Sequence, residues 1–240
     1  MFSMLRINIE TGSVSKDEFQ STEFLLGGRT LSSRLVSREI DPTCDPLGKH
    51  NKLFFCNGAL SGTTVSSANR LSIGSKSPLT GGIKESNAGG IVGLRMAEQG
   101  LRCIAIEGSP KDVDHWQIVV INKDGVEFID GDFLVGHGVY HKSDLLNERF
   151  GKKAGCITIG PAGEKLLYAS GIACSDPHGV CSRYAGRGGL GAVMASKRII
   201  AIVIMDDGEV KQQIQDPDAF KEGSRKIVHL LKENPVSSLF

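Results

Sequence analysis

Two glycine-rich segments and two arginines are the residues in this chain best suited to hold an anionic ligand. The stretch Tyr184 to Lys197, YAGRGGLGAVMASK, sets Gly186, Gly188, Gly189 and Gly191 directly ahead of a short helical run. Glycine removes the side chains that keep a ligand off the main chain, and Ala192 to Ala195 favour a helix whose first amides are free. Such a helix start attracts an anion. A second segment, Asn87 to Gly93 (NAGGIVG), precedes Leu94 to Glu98, read as a helix of about two turns that stops at Gly100. Arg70 opens an alternating strand, RLSIGSK, beside the small polar loop Ser61 to Ser67. Its guanidinium is either a donor to an anion or heteroaromatic ring, or an exposed strand-end group. Arg29, just past Gly27-Gly28, admits the same two readings.

Composition narrows the ligand and the compartment. With 28 basic and 27 acidic residues the formal charge is +1, so no broad field draws nucleic acid or an anionic membrane, and any anion must be bound locally. At 240 residues and 40% hydrophobic content the chain has enough material for a large core. It shows no charged leader followed by an apolar stretch, and no run nears the ~20 apolar residues of a spanning helix, so a cytoplasmic location is expected. The six cysteines have no C-x-x-C spacing and read as reduced, buried thiols. Cys174 and Cys181, or His137 and His141, would each be only two ligands of a metal site, and two are too few.

The elements that must position these groups alternate strand and short helix. Met4 to Ile9 with the turn at Glu10-Ser13 reads as a hairpin, and a helix is expected from about Glu23 to Ile40, interrupted at Gly27-Gly28. Lys52 to Cys56, Leu101 to Glu107, Cys156 to Ile159 and Leu166 to Ala173 read as strands, and His115 to Val120 and Val126 to Ile129 as a hairpin over Asn122-Gly125. A helix is expected from about Ser143, capped by that serine, and a last helix from Asp216-Pro217-Asp218 to Asn234-Pro235. A domain over 1–210 and the opening of another helical segment over 211–240 follow. Both glycine segments lead through a short helix containing Met-Ala into a strand, CIAIE in one and IIAIVI in the other, which reads as an internal repeat. Two such copies about an approximate two-fold would aim at one cleft and suit a ligand with two anionic groups.

Gly186, Gly188 and Gly191 also satisfy G-x-G-x-x-G, with Asp206 20 residues after the first glycine. The dinucleotide reading is set aside because the glycines follow a loop, Asp176 to Ser182, where that motif needs a strand, and because the helix is too short.

Several ordered motifs together carry a family resemblance: DPLGKHNKLFF, KSPLTGG, NAGGIVG with IAIEG, IGPAGE and RYAGRGGLGAVMASK. Over nearly all of its length the chain resembles the N-terminal domain of the tungsten-containing aldehyde:ferredoxin oxidoreductase family. The resemblance implies an α+β fold of two large mixed β-sheets with an internal pseudo-two-fold repeat, forming the base for a bis-pterin cofactor of tungsten or molybdenum. It implies Mg2+ bridging the pterin phosphates through the carbonyls of Asn87 and Tyr184. Arg70, Asn87, Gly89, Arg183, Tyr184 and Gly186 are the implied cofactor contacts, with Arg70 linking pterin to a four-iron four-sulfur cluster. Ala59, Tyr184, Gln99 and Leu101 depart from the family pattern, Tyr184 by placing a ring where a small residue is common.

The family's cluster-binding C-x-x-C-x-x-x-C run does not occur in these 240 residues, and the resemblance assigns the D-x-x-G pterin motifs to the family's second and third helical domains. The resemblance therefore implies the cofactor-binding portion of an enzyme that oxidises aldehydes to carboxylates and passes electrons to ferredoxin or another electron-transfer protein. Cluster-bearing domains or a separate subunit would complete it, and the isolated chain is expected to be inactive. A homo-oligomer is compatible with this. The competing reading is a non-catalytic module that binds or stores the pterin cofactor.

Overall fold

Two six-stranded sheets carry the chain, each assembled in the same order from its own half of the sequence. The computed structural model describes residues 2–19 and 26–237. In the first half β1 (Ser3–Asn8) and β2 (Ser13–Glu18) form a hairpin, and α1 (Gly28–Glu39) leads to the antiparallel run β3 (Leu53–Asn57), β4 (Leu71–Lys76) and β5 (Ile83–Ala88). Helix α2 (Val92–Glu98) returns the chain to β6 (Leu101–Glu107), which inserts parallel to β1 and antiparallel to β3. The second half repeats this. Hairpin β7 (Gln117–Asn122) and β8 (Gly125–Asp130) is followed by α3 (Val139–Phe150), β9 (Gly155–Ile159), α4 (Pro161–Glu164), β10 (Ile172–Cys174) and β11 (Arg183–Ala185). Then α5 (Leu190–Ser196) returns the chain to β12 (Ile199–Ile204), parallel to β7 and antiparallel to β9.

The sheet orders are β2-β1-β6-β3-β4-β5 and β8-β7-β12-β9-β10-β11, so every strand has a counterpart and the expected repeat extends to both whole sheets. The fold is the expected α+β arrangement of two large mixed sheets. Its edge strands β5 and β11 are counterparts, and they pack against one another.

Burial on both faces explains the unbroken apolar strands. Leu53 and Phe55 of β3 join a core that also contains Ile118, Ile157 and Val203 of the second sheet. Phe54 and Cys56, pointing the other way, join Leu31, Leu35 and Val36 beneath α1. A strand with water on neither side needs no alternation, and β3, β6 and β12 accordingly read LFFCN, LRCIAIE and IIAIVI. Helix α6 (Pro217–Glu233) has no buried residue, although Ile227, Val228, Leu230 and Leu231 lie on it. Among the described residues no helix is long and apolar enough to cross a membrane.

Local structure departs from the sequence reading at several points. The helix expected from Glu23 lies partly outside the described residues and starts at Gly28. Arg70 precedes β4 by one residue. Ser143 is inside α3, which begins at Val139, and its hydroxyl donates back to Val139 O at 2.9 Å instead of capping. IGPAGE contains the single helical turn α4, and of the strand expected over Leu166 to Ala173 only Ile172 and Ala173 form ladder, which continues to Cys174. The glycine motif does follow a strand, β11. The dinucleotide reading fails instead on topology, because β11 is antiparallel to β10 and β12 is antiparallel to β9.

Two buried ammonium groups hold the proline-punctuated loop that precedes β3. Lys76 Nζ donates to Pro42 O (2.6 Å) and Cys44 O (2.5 Å), and Lys197 Nζ, from the end of α5, donates to Gly48 O (3.0 Å) and Gly108 O (2.7 Å). Lys197 is 1% exposed, and burial brings its pKa down from 10.5 to about 8. Between those values the folded chain holds fewer protons than the unfolded one, so the contribution is complete above 10.5 and lost as pH falls through about 8. The stability of the native chain relative to Lys197→Met should therefore rise from pH 8 to pH 10, read from paired urea unfolding curves. A flat difference would show that the amine titrates normally.

Candidate functional site

Where the two edge strands meet, hydrogen bonds join each half of the chain to the other. Just beyond β4, Ser77 Oγ donates to Gly188 O at 2.7 Å; just beyond β10, Ser175 O accepts from Ile91 N at 2.9 Å. Arg187 N adds a bond to Ser86 Oγ at 3.2 Å. The approach is close enough to require glycine. Gly90 has φ +104°, and a Cβ there would stand 2.2 Å from Ser175 O.

A cavity of about 510 Å³ opens at this junction. Arg70, Asn87 and Gly89 line it from the first half, Arg183 and Tyr184 from the second, with Ala88, Gly90, Pro177 and Ser182 completing the wall. The structure thus brings together five of the six residues named from sequence. Gly186 lies one residue beyond β11, and a Cβ there would meet nothing nearer than Tyr184 Cβ at 4.0 Å. Asn87 and Tyr184 are the penultimate residues of β5 and β11. Their cross-strand partners, Ser72 and Ala173, occupy equivalent places in β4 and β10, which makes the two backbone carbonyls counterparts under the repeat.

The lining carries two arginines and no carboxylate, so its field favours an anion. Arg70 Nε donates to Asn87 Oδ1, and Asn87 Nδ2 donates to Ser72 Oγ at 3.0 Å. Tyr184 is half exposed, and partial burial pushes its phenol above the ordinary value of 10 with a smaller contribution from Tyr140, so it adds no charge at neutral pH. A larger cavity of about 570 Å³ lies at the ends of β1 and β6. Four carboxylates, Glu10, Glu39, Asp41 and Glu107, line it, and its Lys52 is already paired: Glu39 accepts from Arg6 (2.7 and 2.8 Å) and Lys52 (3.0 Å), and Lys52 reaches Glu107 at 2.9 Å. The smaller cavity, whose lining sets no carboxylate beside Arg70 and Arg183, is the candidate site.

At each of the two helix starts one entry amide is already taken by a main-chain carbonyl. Helices α2 and α5 have seven residues each. Ser175 O takes the Ile91 amide, Ser170 O takes the Gly191 amide at 3.2 Å, and Tyr168 O lies against Gly189. Approachable backbone is left at the strand ends, Asn87 to Gly89 and Arg183 to Gly186. Arg29 is exposed and pairs with Glu85 at 3.1 Å, outside the cavity lining. Cys174 and Cys181 are buried, with the Cys181 thiol pushed up to about 11 by burial, and the rings of His137 and His141 stand 4.5 Å apart. Among the described residues no group of three or more His, Cys, Asp or Glu side chains could hold a metal ion. Sequence reasoning missed Ser72, whose only signal was a polar residue at a buried position of an alternating strand.

The fold is thus a two-sheet, pseudo-symmetric α+β domain with a cationic cleft between its paired edges. The aldehyde ferredoxin oxidoreductase N-terminal domain model matches residues 4–206, and the chain belongs to that family. The tungsten-containing aldehyde ferredoxin oxidoreductase of Pyrococcus horikoshii is 35% identical over 238 residues, covering 98% of this chain and 37% of the relative. That of Thermococcus kodakarensis is 36% identical over 237 residues, covering 97% and 37%. The WOR-like subunit of an aliphatic sulfonate oxidoreductase from Pyrococcus furiosus is 29% identical over 223 residues, covering 86% and 33%. Among solved structures, the BamBC active-site complex of benzoyl coenzyme A reductase with 1,5-dienoyl-CoA superposes with a TM-score of 0.86 at 25% identity, covering 96% of this chain and 34% of that one. The chain therefore spans little more than a third of the length of its relatives.

The junction should be intolerant of a single methyl group. Gly90→Ala is expected to destabilise the chain by at least about 1–3 kcal/mol from its backbone angle alone, with the approach to Ser175 adding to this. Gly82→Ala, in open space, should stay within about 0.5 kcal/mol of the parent. Urea unfolding of the two variants checks the contrast.

Proposed function

We propose that this chain is the base on which a bis-pterin cofactor of tungsten or molybdenum lies, in an enzyme that oxidises aldehydes to carboxylates and delivers electrons to ferredoxin. The observation that carries the reading is the cavity itself. It is built from two equivalent strand ends, with two arginines, no carboxylate, and carbonyls at matching positions. A ligand with two like anionic arms suits a site made of two like halves.

The donor set fits such a group. Arg70 and Arg183 donate to phosphate or pterin oxygens, and the backbone oxygens of Asn87 and Tyr184 are the hard ligands Mg2+ takes. Gly89 and Gly186 leave the strand ends open to a planar ligand: a Cβ on Gly89 would come no nearer than 3.8 Å to Arg70 Nη1. When bound, the metal dithiolene supplies the two-electron oxidation of the substrate. The chain's own part is to bind and orient. In this reading the groups that move protons and the cluster that carries electrons are supplied by the cluster-bearing domains or a separate subunit. Among the relatives compared, aldehyde oxidation accompanies the higher identities, 34–36%, against 29% for the sulfonate subunit. The free cysteines, five of them buried, suit a reducing cytoplasm.

Co-expression with the C-terminal portion of one of the aldehyde ferredoxin oxidoreductases, in medium supplied with tungstate, tests this. The complex should retain tungsten, pterin and magnesium and reduce viologen with an aldehyde. Arg70→Met with Arg183→Met should lower cofactor occupancy more than about tenfold, the loss of two charge-assisted contacts. Aldehyde oxidation by the 240-residue chain alone, or unchanged occupancy in the double variant, would overturn the reading.

A further inference from the structure

The repeat makes the two halves of the cavity equivalent in backbone, yet their side chains differ at three matched positions. In the first half, Ser72 lies directly opposite Asn87 across β4 and β5, and Arg70 stands two residues before it. In the second half the same positions hold Ala173 opposite Tyr184, with Gly171 in the place of Arg70. Gly171 has no room for a side chain, since a Cβ there would lie 2.9 Å from Gly186 Cα. Only the first half can carry a cation at this position.

That cation is held by a relay. Ser72 is 1% exposed, lies under the start of α1, and its Oγ accepts from Asn87 Nδ2 at 3.0 Å. Giving the Asn87 NH2 to Ser72 turns Oδ1 the other way, where it accepts from Arg70 Nε. Among the described residues the guanidinium's remaining donors have no partner, and Arg70 lines the cavity. Were the amide reversed, an NH2 group would face a guanidinium, two donors with no acceptor between them, and Arg70 would be released. The guanidinium, a donor only, therefore sets the amide orientation, and Ser72 Oγ, which accepts from the NH2 that this orientation turns inward, anchors the Asn87 side chain in place.

We propose that Ser72 is a positioning residue: through the Asn87 side chain it fixes the Arg70 guanidinium toward the anionic ligand of the cavity. Its link to a bis-pterin rests on the function proposed above; the relay itself does not.

Two measurements on the 240-residue chain separate these. In 15N-labelled protein the Arg70 Nε–H, assigned by its loss in Arg70→Lys, should exchange slowly with water. Ser72→Ala should raise that exchange rate at least tenfold while far-UV dichroism stays native, and Ser72→Thr, which keeps the hydroxyl, should restore slow exchange. The second measurement titrates magnesium pyrophosphate by calorimetry into the parent, Ser72→Ala, Arg70→Met and the double variant. Ser72→Ala should weaken binding severalfold in the parent and have no effect once Arg70 is gone, whereas a merely structural serine would weaken both alike. Unchanged Nε–H exchange in Ser72→Ala, or equal losses in both backgrounds, would overturn the proposal. A parent that shows the exchange pattern yet binds no pyrophosphate would support the relay and count against the cofactor reading.

Discussion

The meeting of two sheet edges is the constraint on which the molecule depends. An edge strand presents unpaired amides and carbonyls, and here two such edges, β5 and β11, lie against each other. Each closes with groups from the far side: Ser77 on Gly188, Ser175 on the Ile91 amide. The same closure that protects the edges shapes the cavity, because it holds the ends of both strands at one place. Fold stability and ligand geometry are therefore set by the same few contacts, and substitutions near Gly90 or Gly188 act on both at once.

Buried charge is the second theme, and the solution recurs. Lys76 and Lys197 are satisfied by main-chain carbonyls, and Lys142 reaches Ile159 O as well as Glu164. An ammonium group removed from water is tolerable when carbonyl dipoles replace its hydration. Lys76 closes the GSK end of β4 and Lys197 ends the MASK motif, so two of the motifs that mark the family also pin the DPLG loop. Part of what makes these segments recognisable is structural: neither lysine lines the cavity between the paired edges.

Much of this was legible in the sequence because glycine and arginine are informative when clustered. The two Gly-helix-strand units exposed the repeat, and the motif resemblance named residues that five times out of six line one cavity. What was not legible depends on partners far along the chain. The glycines ahead of α5 suggest a free helix start until Ser170 O is seen to take one of its amides. The three-residue strands β10 and β11 carry too few residues for a period, and exist because β9 offers a ladder to extend. Ser72 is an ordinary strand serine until its neighbour across the sheet proves to be Asn87.

Internal duplication has a consequence for how such a site can specialise. Two identical subunits meeting across a true dyad must carry the same residue at both related positions, so a change that helps one side is imposed on the other. A single chain containing both halves escapes that coupling. Arg70 can face a ligand while Gly171, its counterpart, serves only to let Gly186 pass close by, and Asn87 can diverge from Tyr184 while their carbonyls keep matching places. Fusing the halves into one chain is what permits a symmetric cradle to have a front and a back.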